Sequence, residues 1–355
     1  MDQITPIETQ FTQLLGVKTP IVSGAMAGAS GGALAAAVTL GGGFGFLSAG
    51  YDAPETLKKE INLTRDLLHT EEQDTVHVGV GFLCWQLDKF PSKAEELLSV
   101  TLASRVQAVW LAFGEDVGVW VKYVREHDPR AGSADAVKIF VQITNVAEAQ
   151  LALKEWKADV IVVQGVEAGG HGLAAGLPLL TLFPLVASLV PESNGPPLLA
   201  AGGVATGSQV AALLALGASG VVLGTRFLLS PESLYTDTQR RALLDAESTL
   251  SVRTMAFDYA RNTLGWPKGI DGRGLRNATV DDYERGEDIT IIREKFEQGI
   301  REGDQNRILV WGGSGVGLMS QVKPAKEIVQ ELHAACSHRI KHTAGLLDLA
   351  EKPKL

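Results

Sequence analysis

The 355-residue chain is 45% hydrophobic with a net charge of -9, so it can bury one large core, and its length suits one elaborated barrel or two ordinary domains. No block of lysine and arginine stands out, which argues against a nucleic-acid partner. Residues 1–16 lack an apolar signal segment and no run of about 18 apolar residues occurs, so we expect neither a signal peptide nor a membrane span.

Eight short apolar runs, each followed by a helical pattern, make up the chain as far as residue 223. The predicted strands are residues 19–23, 44–47, 76–81, 108–112, 138–143, 158–163, 197–201 and 220–223. The predicted helices between them are residues 32–40, 54–68, 93–102, 116–127, 146–156, 179–190 and 208–216. Eight β-α repeats favour an α/β fold with a closed (β/α)8 TIM barrel over an open doubly wound sheet.

The alternation of strand and helix patterns ends after the eighth predicted strand. Residues 231–304 show helical patterns and a turn-rich link, with no strand pattern. The predicted helices there are residues 239–246, 252–262 and 291–302. We therefore predict a barrel at 1–230, a helical substrate or cap domain at 231–305, and a return segment at 306–355 whose closing helix, 326–348, packs on the barrel. Loops that follow barrel strands lie over the catalytic face, so the cap is expected to cover the site.

The most distinctive stretch, Q-G-V-E-A-G-G-H-G at residues 164–172, follows the sixth predicted strand. That strand is apolar and β-branched, as expected of a parallel strand buried on both faces, and the ends of such strands are where α/β folds place ligands. Gly169 and Gly170 lack Cβ atoms, so the backbone can approach a ligand closely. His171 is the one side chain in the stretch that exchanges a proton near neutral pH, so we predict that it is catalytic.

Two glycine-rich turns follow the seventh and eighth predicted strands, A-A-G-G-V-A-T-G at 200–207 and L-G-T-R-F at 223–227. Consecutive glycines such as Gly202 and Gly203 leave backbone N–H groups free to converge on an anion, and a helix starting near Ser208 adds its positive end. Loops after strands seven and eight are where such barrels commonly hold a phosphate. The two turns therefore predict a phosphate site.

The other predicted strand ends offer small, apolar or amide groups, namely Gly24, Ala25, Met26, Gly81 and Gln142. They contain no carboxylate pair, and the seven histidines show no metal-ligand spacing, so we expect no metal. A flat, largely apolar cofactor ring suits this lining, with Gln142 and Gln164 as neutral hydrogen-bond partners. Flavin mononucleotide (FMN) fits these requirements better than a sugar phosphate.

These motifs, together with W-G-G-S-G-V-G-L at 311–318 and D-G-R-G-L-R-N-A at 271–278, resemble the nitronate monooxygenase family, formerly called 2-nitropropane dioxygenases, and its fungal branch most closely. The resemblance covers nearly the whole chain. It implies an FMN-dependent oxidoreductase that converts alkyl nitronates and dioxygen to a carbonyl compound and nitrite. By this resemblance, His171 matches the active-site histidine, which acts as a base on neutral nitroalkanes or assists the nitronate.

The resemblance also implies flavin contacts at Gln164, Gly169, Gly203 and residues 222–225. With the strand-end positions, the predicted cofactor-binding residues are Ala25, Met26, Gly81, Gln142, Gln164, Gly169, Gly170, Gly202, Gly203, Val222, Leu223, Gly224 and Thr225. Two positions depart from the family pattern. Many relatives carry A-P-M where this chain has G-A-M at 24–26, and bacterial members often carry asparagine at the position of Gly81. Both changes remove flavin contacts without adding a charge.

Three other functions remain open at this point. A flavin-dependent enoyl reductase resembles this family, but it would need NAD(P)H and a basic surface for an acidic carrier protein. A phosphosugar isomerase or lyase on the same barrel would need a paired acid and base, and only Glu167 accompanies His171 in the sequence. A flavin-binding protein without catalysis could lose His171, which this chain retains.

The two cysteines, Cys84 and Cys336, are too few and too far apart for a disulfide framework, which suits a reducing, cytoplasmic compartment. We interpret both as packing residues. The tripeptide Pro353-Lys354-Leu355 is a weak relative of the S-K-L address, which leaves peroxisomal targeting as the alternative. The expected partners are a small nitronate and dioxygen. Apolar residues on the outer helices serve packing or a homodimer equally well, so the oligomeric state stays open.

Overall fold

A closed barrel of eight parallel strands forms the main body of the molecule. The computed structural model describes residues 5–191 and 194–348. The barrel strands are β1 (Ile21–Ser23), β2 (Gly45–Ser48), β3 (Val76–Leu83), β4 (Val106–Ala112), β5 (Lys138–Ile143), β6 (Val160–Gln164), β8 (Leu198–Ala201) and β9 (Gly220–Leu223), with β7 (Gly170–Leu173) outside the barrel. They pair in the order β1-β9-β8-β6-β5-β4-β3-β2, and a bridge between Val22 and Phe44 closes the ring.

Helices cover the outside of the barrel and build much of the cap. They are α1 (Gln10–Leu15), α2 (Gly32–Leu40), α3 (Pro54–Leu68), α4 (Cys84–Lys89), α5 (Pro91–Ala103), α6 (Val117–His127), α7 (Val146–Lys154), α8 (Leu179–Ala187), α9 (Gly207–Ala215), α10 (Thr225–Leu228), α11 (Asp237–Asp245), α12 (Ala256–Arg261), α13 (Ala278–Glu284), α14 (Ile289–Glu302) and α15 (Ala325–Asp348). The last helix, α15, packs against α9 and α2 and so completes the outer layer.

The eight predicted strands agree with the observed barrel strands to within two residues at each end. The TIM-barrel prediction is therefore confirmed. It succeeds because these strands are buried on both faces and read as short apolar runs; β6, for example, has its first four residues buried.

Aromatic side chains fill the inside of the barrel. The ring of Phe46 lies edge to face with those of Trp110 and Phe140, with 5.0 Å between centroids in both pairs. Gly79 makes room for this packing, because a Cβ at that position would lie 2.1 Å from the Phe46 ring. The interior is therefore a packed core, and ligands are left to the mouth of the barrel.

The segment after β9 forms a mixed cap, which corrects the prediction of a purely helical one. Its strands β10 (Ser251–Thr254) and β11 (Ile270–Leu275) form an antiparallel sheet with β7, in the order β10-β11-β7. The helix predicted at 252–262 is wrong at its start, since residues 252–254 belong to β10 and α12 begins at Ala256. In this sheet His171 lies opposite Gly272.

Other predictions concern the chain ends, the cysteines and the membrane. Both cysteines are buried and free, and burial raises the pKa of the Cys84 thiol well above its usual range and that of Cys336 to about 11. They are packing residues, as predicted.

Residues 353–355, the candidate peroxisomal address, lie outside the described residues. Across 5–191 and 194–348, no helix is both long and apolar enough to cross a membrane.

Candidate active site

A cavity opens at the carboxyl ends of the barrel strands, beneath the cap. Its empty volume, counted with its open mouth, is about 1210 Å³. The barrel loops contribute small residues such as Gly24 and Gly203, whereas the cap and the return segment contribute Arg261, Trp266 and Trp311. This is the end of an α/β barrel at which active sites are found.

His171 lies in the wall of this cavity and is paired with a buried carboxylate. Its Nε2 atom lies 3.0 Å from both Oδ1 and Oδ2 of Asp258 on α12. The exposed fraction of the side chain is 9% for His171 and 0% for Asp258. Thr263 donates its hydroxyl to Oδ1 of Asp258 at 2.8 Å. Nδ1 of His171 has no hydrogen-bond partner in the described part of the chain, so this ring nitrogen is left to a ligand.

Aromatic rings surround the imidazole of His171. The indole of Trp266 stacks on it, with 3.5 Å between ring centroids and 11° between planes. Trp311 meets the same imidazole at 5.0 Å and 64°. Trp85 and Phe113 in turn contact Trp266, with centroid distances of 5.1 and 5.5 Å. These rings fix the orientation of the imidazole and keep water away from it, which strengthens electrostatic interactions at the site.

A cation and a hydroxyl donor line the cavity where it meets solvent. Arg261, at the end of α12, is exposed and forms no ion pair within the described residues. Burial raises the pKa of the Tyr51 hydroxyl to about 12, against a smaller opposing effect of Arg261, so this hydroxyl is a donor at neutral pH. The two groups favour an anionic ligand. No group of three or more potential metal ligands occurs among the described residues.

Two glutamines at the strand ends have polar atoms without protein partners. Nε2 of Gln142 and Oε1 of Gln164 are buried and have no hydrogen-bond partner among the described residues. Nε2 of Gln164 donates to the carbonyl of His171 at 3.1 Å, which fixes the orientation of its amide. A buried polar group without a partner costs about 1–3 kcal/mol. Both side chains line the cavity, so the arrangement suits a ligand with complementary polar atoms at its edge.

The loops after β8 and β9 present backbone N–H groups to the cavity. Those of Gly203, Val204 and Gly224 have no acceptor within the described part of the chain. Gly203 takes a φ of +69°, which a residue with a Cβ rarely adopts. The first turn of α9 is capped by the side chain of Thr206, so the N–H groups of the loop, more than those of the helix end, are free to bind a ligand.

Two arginines of the cap sheet clamp the loop between β6 and β7. Arg253 on β10 donates to the carbonyls of Gly172 at 2.7 Å and Val166 at 3.2 Å. Its Nε pairs with Oδ1 of Asp271 at 2.6 Å. Arg273 on β11 donates to the Val166 carbonyl at 3.0 Å. Side chains of the cap therefore position a loop that leads from barrel strand β6 to β7 of the cap sheet.

Comparison with known proteins places this architecture in a family. The family described as nitronate monooxygenase matches residues 8–73 and 84–335. The chain belongs to the nitronate monooxygenase family. It is accordingly an oxidoreductase, and the resemblance stated from its motifs is confirmed.

Relatives of the nitronate monooxygenase family match over nearly their whole length. A nitronate monooxygenase from Neurospora crassa is 32% identical over 90% of this chain and 90% of its own. Nitronate monooxygenase npaC from Metarhizium robertsii is 33% identical over 88% of this chain and 90% of its own. The solved structure of nitroalkane oxidase from Streptomyces ansochromogenes has a TM-score of 0.75 and 26% identity, covering 94% of this chain and 99% of that chain.

Most of the site residues predicted from the sequence lie together in the cavity wall. Those that line it are Ala25, Met26, Gln142, Gln164, Gly169, Gly170, His171, Gly202, Gly203, Val222, Gly224 and Thr225. Gly81 and Leu223 do not line it. A Cβ at Gly81 would lie 2.2 Å from that of Ala25, so Gly81 makes room for a lining residue. The side chain of Leu223 is fully buried in the core between strands and helices.

Sequence reasoning missed the acidic partner of the histidine. It noted Glu167 beside His171, but both carboxylate oxygens of Glu167 lie 3.0 Å from the backbone N–H of Leu179, at the start of α8. The carboxylate paired with His171 is instead Asp258, 87 positions away. Only the tertiary fold brings the two together, and no local spacing signals the pair. Trp266 was missed for the same reason.

Proposed function

We propose that the protein is an FMN-dependent nitronate monooxygenase that converts alkyl nitronates, and neutral nitroalkanes after their deprotonation, to carbonyl compounds and nitrite with dioxygen. The proposal rests on one cavity that combines free backbone N–H groups, two glutamine amides that each have a polar atom without a partner among the described residues, and a histidine with a free ring nitrogen. Membership of the family supports the same class of reaction.

The residues of the cavity fit an FMN group. The N–H groups of Gly203, Val204 and Gly224 would hold its phosphate, as expected of glycine-rich loops after strands seven and eight of a barrel. Gln142 and Gln164 would hydrogen-bond the polar edge of its ring system, which would satisfy both unpartnered atoms. When bound, the flavin supplies the electron acceptor and the centre that reacts with dioxygen.

His171 handles the proton of the substrate. A neutral nitroalkane must lose the proton on the carbon that bears the nitro group, and Nδ1 of His171 is free to accept it. A nitronate already lacks this proton and needs only to be bound and oriented. Arg261 attracts this anion to the open side of the cavity. Trp266 and Trp311 shield the imidazole from water.

We further propose that the chain divides into a cofactor-binding barrel at 1–230, a substrate domain at 231–305 and a return segment at 306–355. Support comes from the origin of the lining residues. The free N–H groups and both glutamines belong to the first segment, whereas Arg261 and Trp266 come from the second. Trp311 comes from the third, whose helix α15 packs on the barrel.

The visible absorption spectrum of the purified protein tests this proposal. Flavin bands should be present, and they should bleach on anaerobic addition of an alkyl nitronate but not of NADH. Readmission of air should restore the bands and release nitrite. Bleaching by NADH would instead support a flavin-dependent reductase. Absence of any flavin, with no binding of added FMN, would favour a phosphosugar enzyme on the same barrel.

A further inference from the structure

Asp258 is a buried carboxylate directed at one imidazole nitrogen. Its side chain is 0% exposed, and both of its oxygens lie 3.0 Å from Nε2 of His171. The other side-chain donor to this carboxylate, among the described residues, is the hydroxyl of Thr263. We propose that Asp258 is a positioning residue that keeps the proton of His171 on Nε2, so that Nδ1 is the base for neutral nitroalkanes. This inference rests on the proposed function and deepens it.

The chemistry of the two groups supports this assignment. An ionised carboxylate only accepts hydrogen bonds, so Nε2 must carry a hydrogen, and a neutral imidazole with hydrogen on Nε2 has its lone pair on Nδ1. In the reaction, the C–H bond next to the nitro group breaks and its proton bonds to Nδ1. The electron pair moves into the nitro group, which gives the nitronate. The positive charge that develops on His171 is then stabilised by Asp258.

The other titratable side chains that line the cavity do not replace this carboxylate. Tyr51 and Tyr235 both have a pKa raised by burial, so they are neutral near pH 7. Arg261 is a cation and would disfavour a positive imidazole. Asp258 is therefore the anion beside His171 within the described residues. The stacked ring of Trp266 adds a favourable contact with the imidazolium face.

Asp258→Asn tests the role because it keeps the shape of the side chain. Its amide can donate to Nε2, which allows the proton to move to Nδ1 and removes the base. We expect kcat/KM for a neutral nitroalkane to fall about 10²-fold or more, the usual contribution of a general base. Turnover of the matching preformed nitronate should fall much less. Nitrogen NMR of the labelled imidazole should show hydrogen on Nε2 in the wild type and on Nδ1 in the variant.

The control is Asp237→Asn, which removes a carboxylate of the cap whose side chain is 99% exposed, and it should leave both rates unchanged. Equal losses for nitroalkane and nitronate, no loss for either, or an unchanged tautomer would overturn the role of Asp258. If Asp258→Asn does not fold, the test uses Thr263→Val, which removes the hydroxyl that donates to Asp258. A lower ratio of nitroalkane turnover to nitronate turnover supports the inference, and an unchanged ratio refutes it. If the wild type oxidises no nitronate, the proposed function fails, and the NMR measurement still tests Asp258.

Discussion

At the scale of single residues, the side chain of Gln142 is predicted to affect cofactor binding and protein stability in opposite directions. Its Nε2 atom is buried without a partner, which is unfavourable in the ligand-free protein. Replacing it with methionine keeps the size of the side chain and removes the polar group. We therefore predict that Gln142→Met leaves the ligand-free protein as stable or more stable, while the affinity for FMN falls about tenfold, as expected for the loss of a hydrogen bond worth about 1–1.5 kcal/mol.

Thermal unfolding of the ligand-free protein and fluorescence titration with FMN would measure the two effects. Ile161→Val, a truncation in a strand of the same barrel, provides a contrast because its side chain belongs to the core between strands and helices. It should lower stability by about 1 kcal/mol without changing the intrinsic FMN affinity. Unchanged FMN affinity in Gln142→Met would mean that this amide does not contact the cofactor.

At the scale of elements, Arg253 of the cap sheet holds β7, the strand that carries His171, in place. Its side chain is 10% exposed and links β10 to Asp271 on β11 and to the carbonyl of Gly172 on β7. Replacing it with methionine leaves the partly buried carboxylate of Asp271 without its ion pair, which costs about 3–5 kcal/mol at a fully buried site and less here. We predict faster hydrogen exchange in β7 and β11, and lower activity, with the barrel strands unchanged.

Arg253→Lys is the matched control for this prediction, since it retains the charge and loses the forked geometry that reaches three carbonyls and a carboxylate. It should show an intermediate exchange rate in β7. If exchange accelerates equally in β7 and in the barrel strand β4, Arg253 would stabilise the whole protein and would not act locally on β7.

The same elements show how far the sequence predicts the structure. The eight barrel strands were predicted closely because a strand buried on both faces is an apolar run whatever its neighbours are. β7 and β11 were not, since G-H-G-L and I-D-G-R-G-L contain little apolar alternation, and their extended form depends on pairing with each other. The glycine loops of the site were found from composition and position. Asp258 could not be found, because the tertiary fold, and not the spacing in the sequence, brings α12 and β7 close enough for Asp258 to contact His171.

At the scale of the whole molecule, His333 connects the last helix to the start of the chain. Its Nε2 donates to the carbonyl of Thr5 at 2.9 Å, and its Nδ1 is buried without a partner among the described residues. Burial lowers the pKa of His333, so the unfolded chain takes up the proton more readily than the folded protein does. The stability that this neutral histidine contributes is complete above its unfolded pKa of about 6.5 and is lost as pH falls below that value.

We therefore predict that His333→Gln, which keeps a donor for Thr5 and cannot titrate, shows a smaller fall in Tm between pH 7.5 and pH 5.5 than the wild type. His338→Gln, at an exposed position of the same helix, should behave as the wild type does. Scanning calorimetry at the two pH values would measure the difference. An equal fall in Tm for the wild type and His333→Gln would show that acid destabilisation arises elsewhere.

Because β7 belongs to the cap sheet, its pairing partner β11 is synthesised only after all the barrel strands. A growing chain that has passed α10 contains all eight barrel strands and both glycine loops, but the strand that carries His171 still lacks β11 beside it and Asp258 behind it. The glycine loops that we propose as the phosphate site are thus synthesised well before Asp258, which we propose positions the base. Under this proposal, a molecule cut short after α10 would contain His171 and both glycine loops but not Asp258.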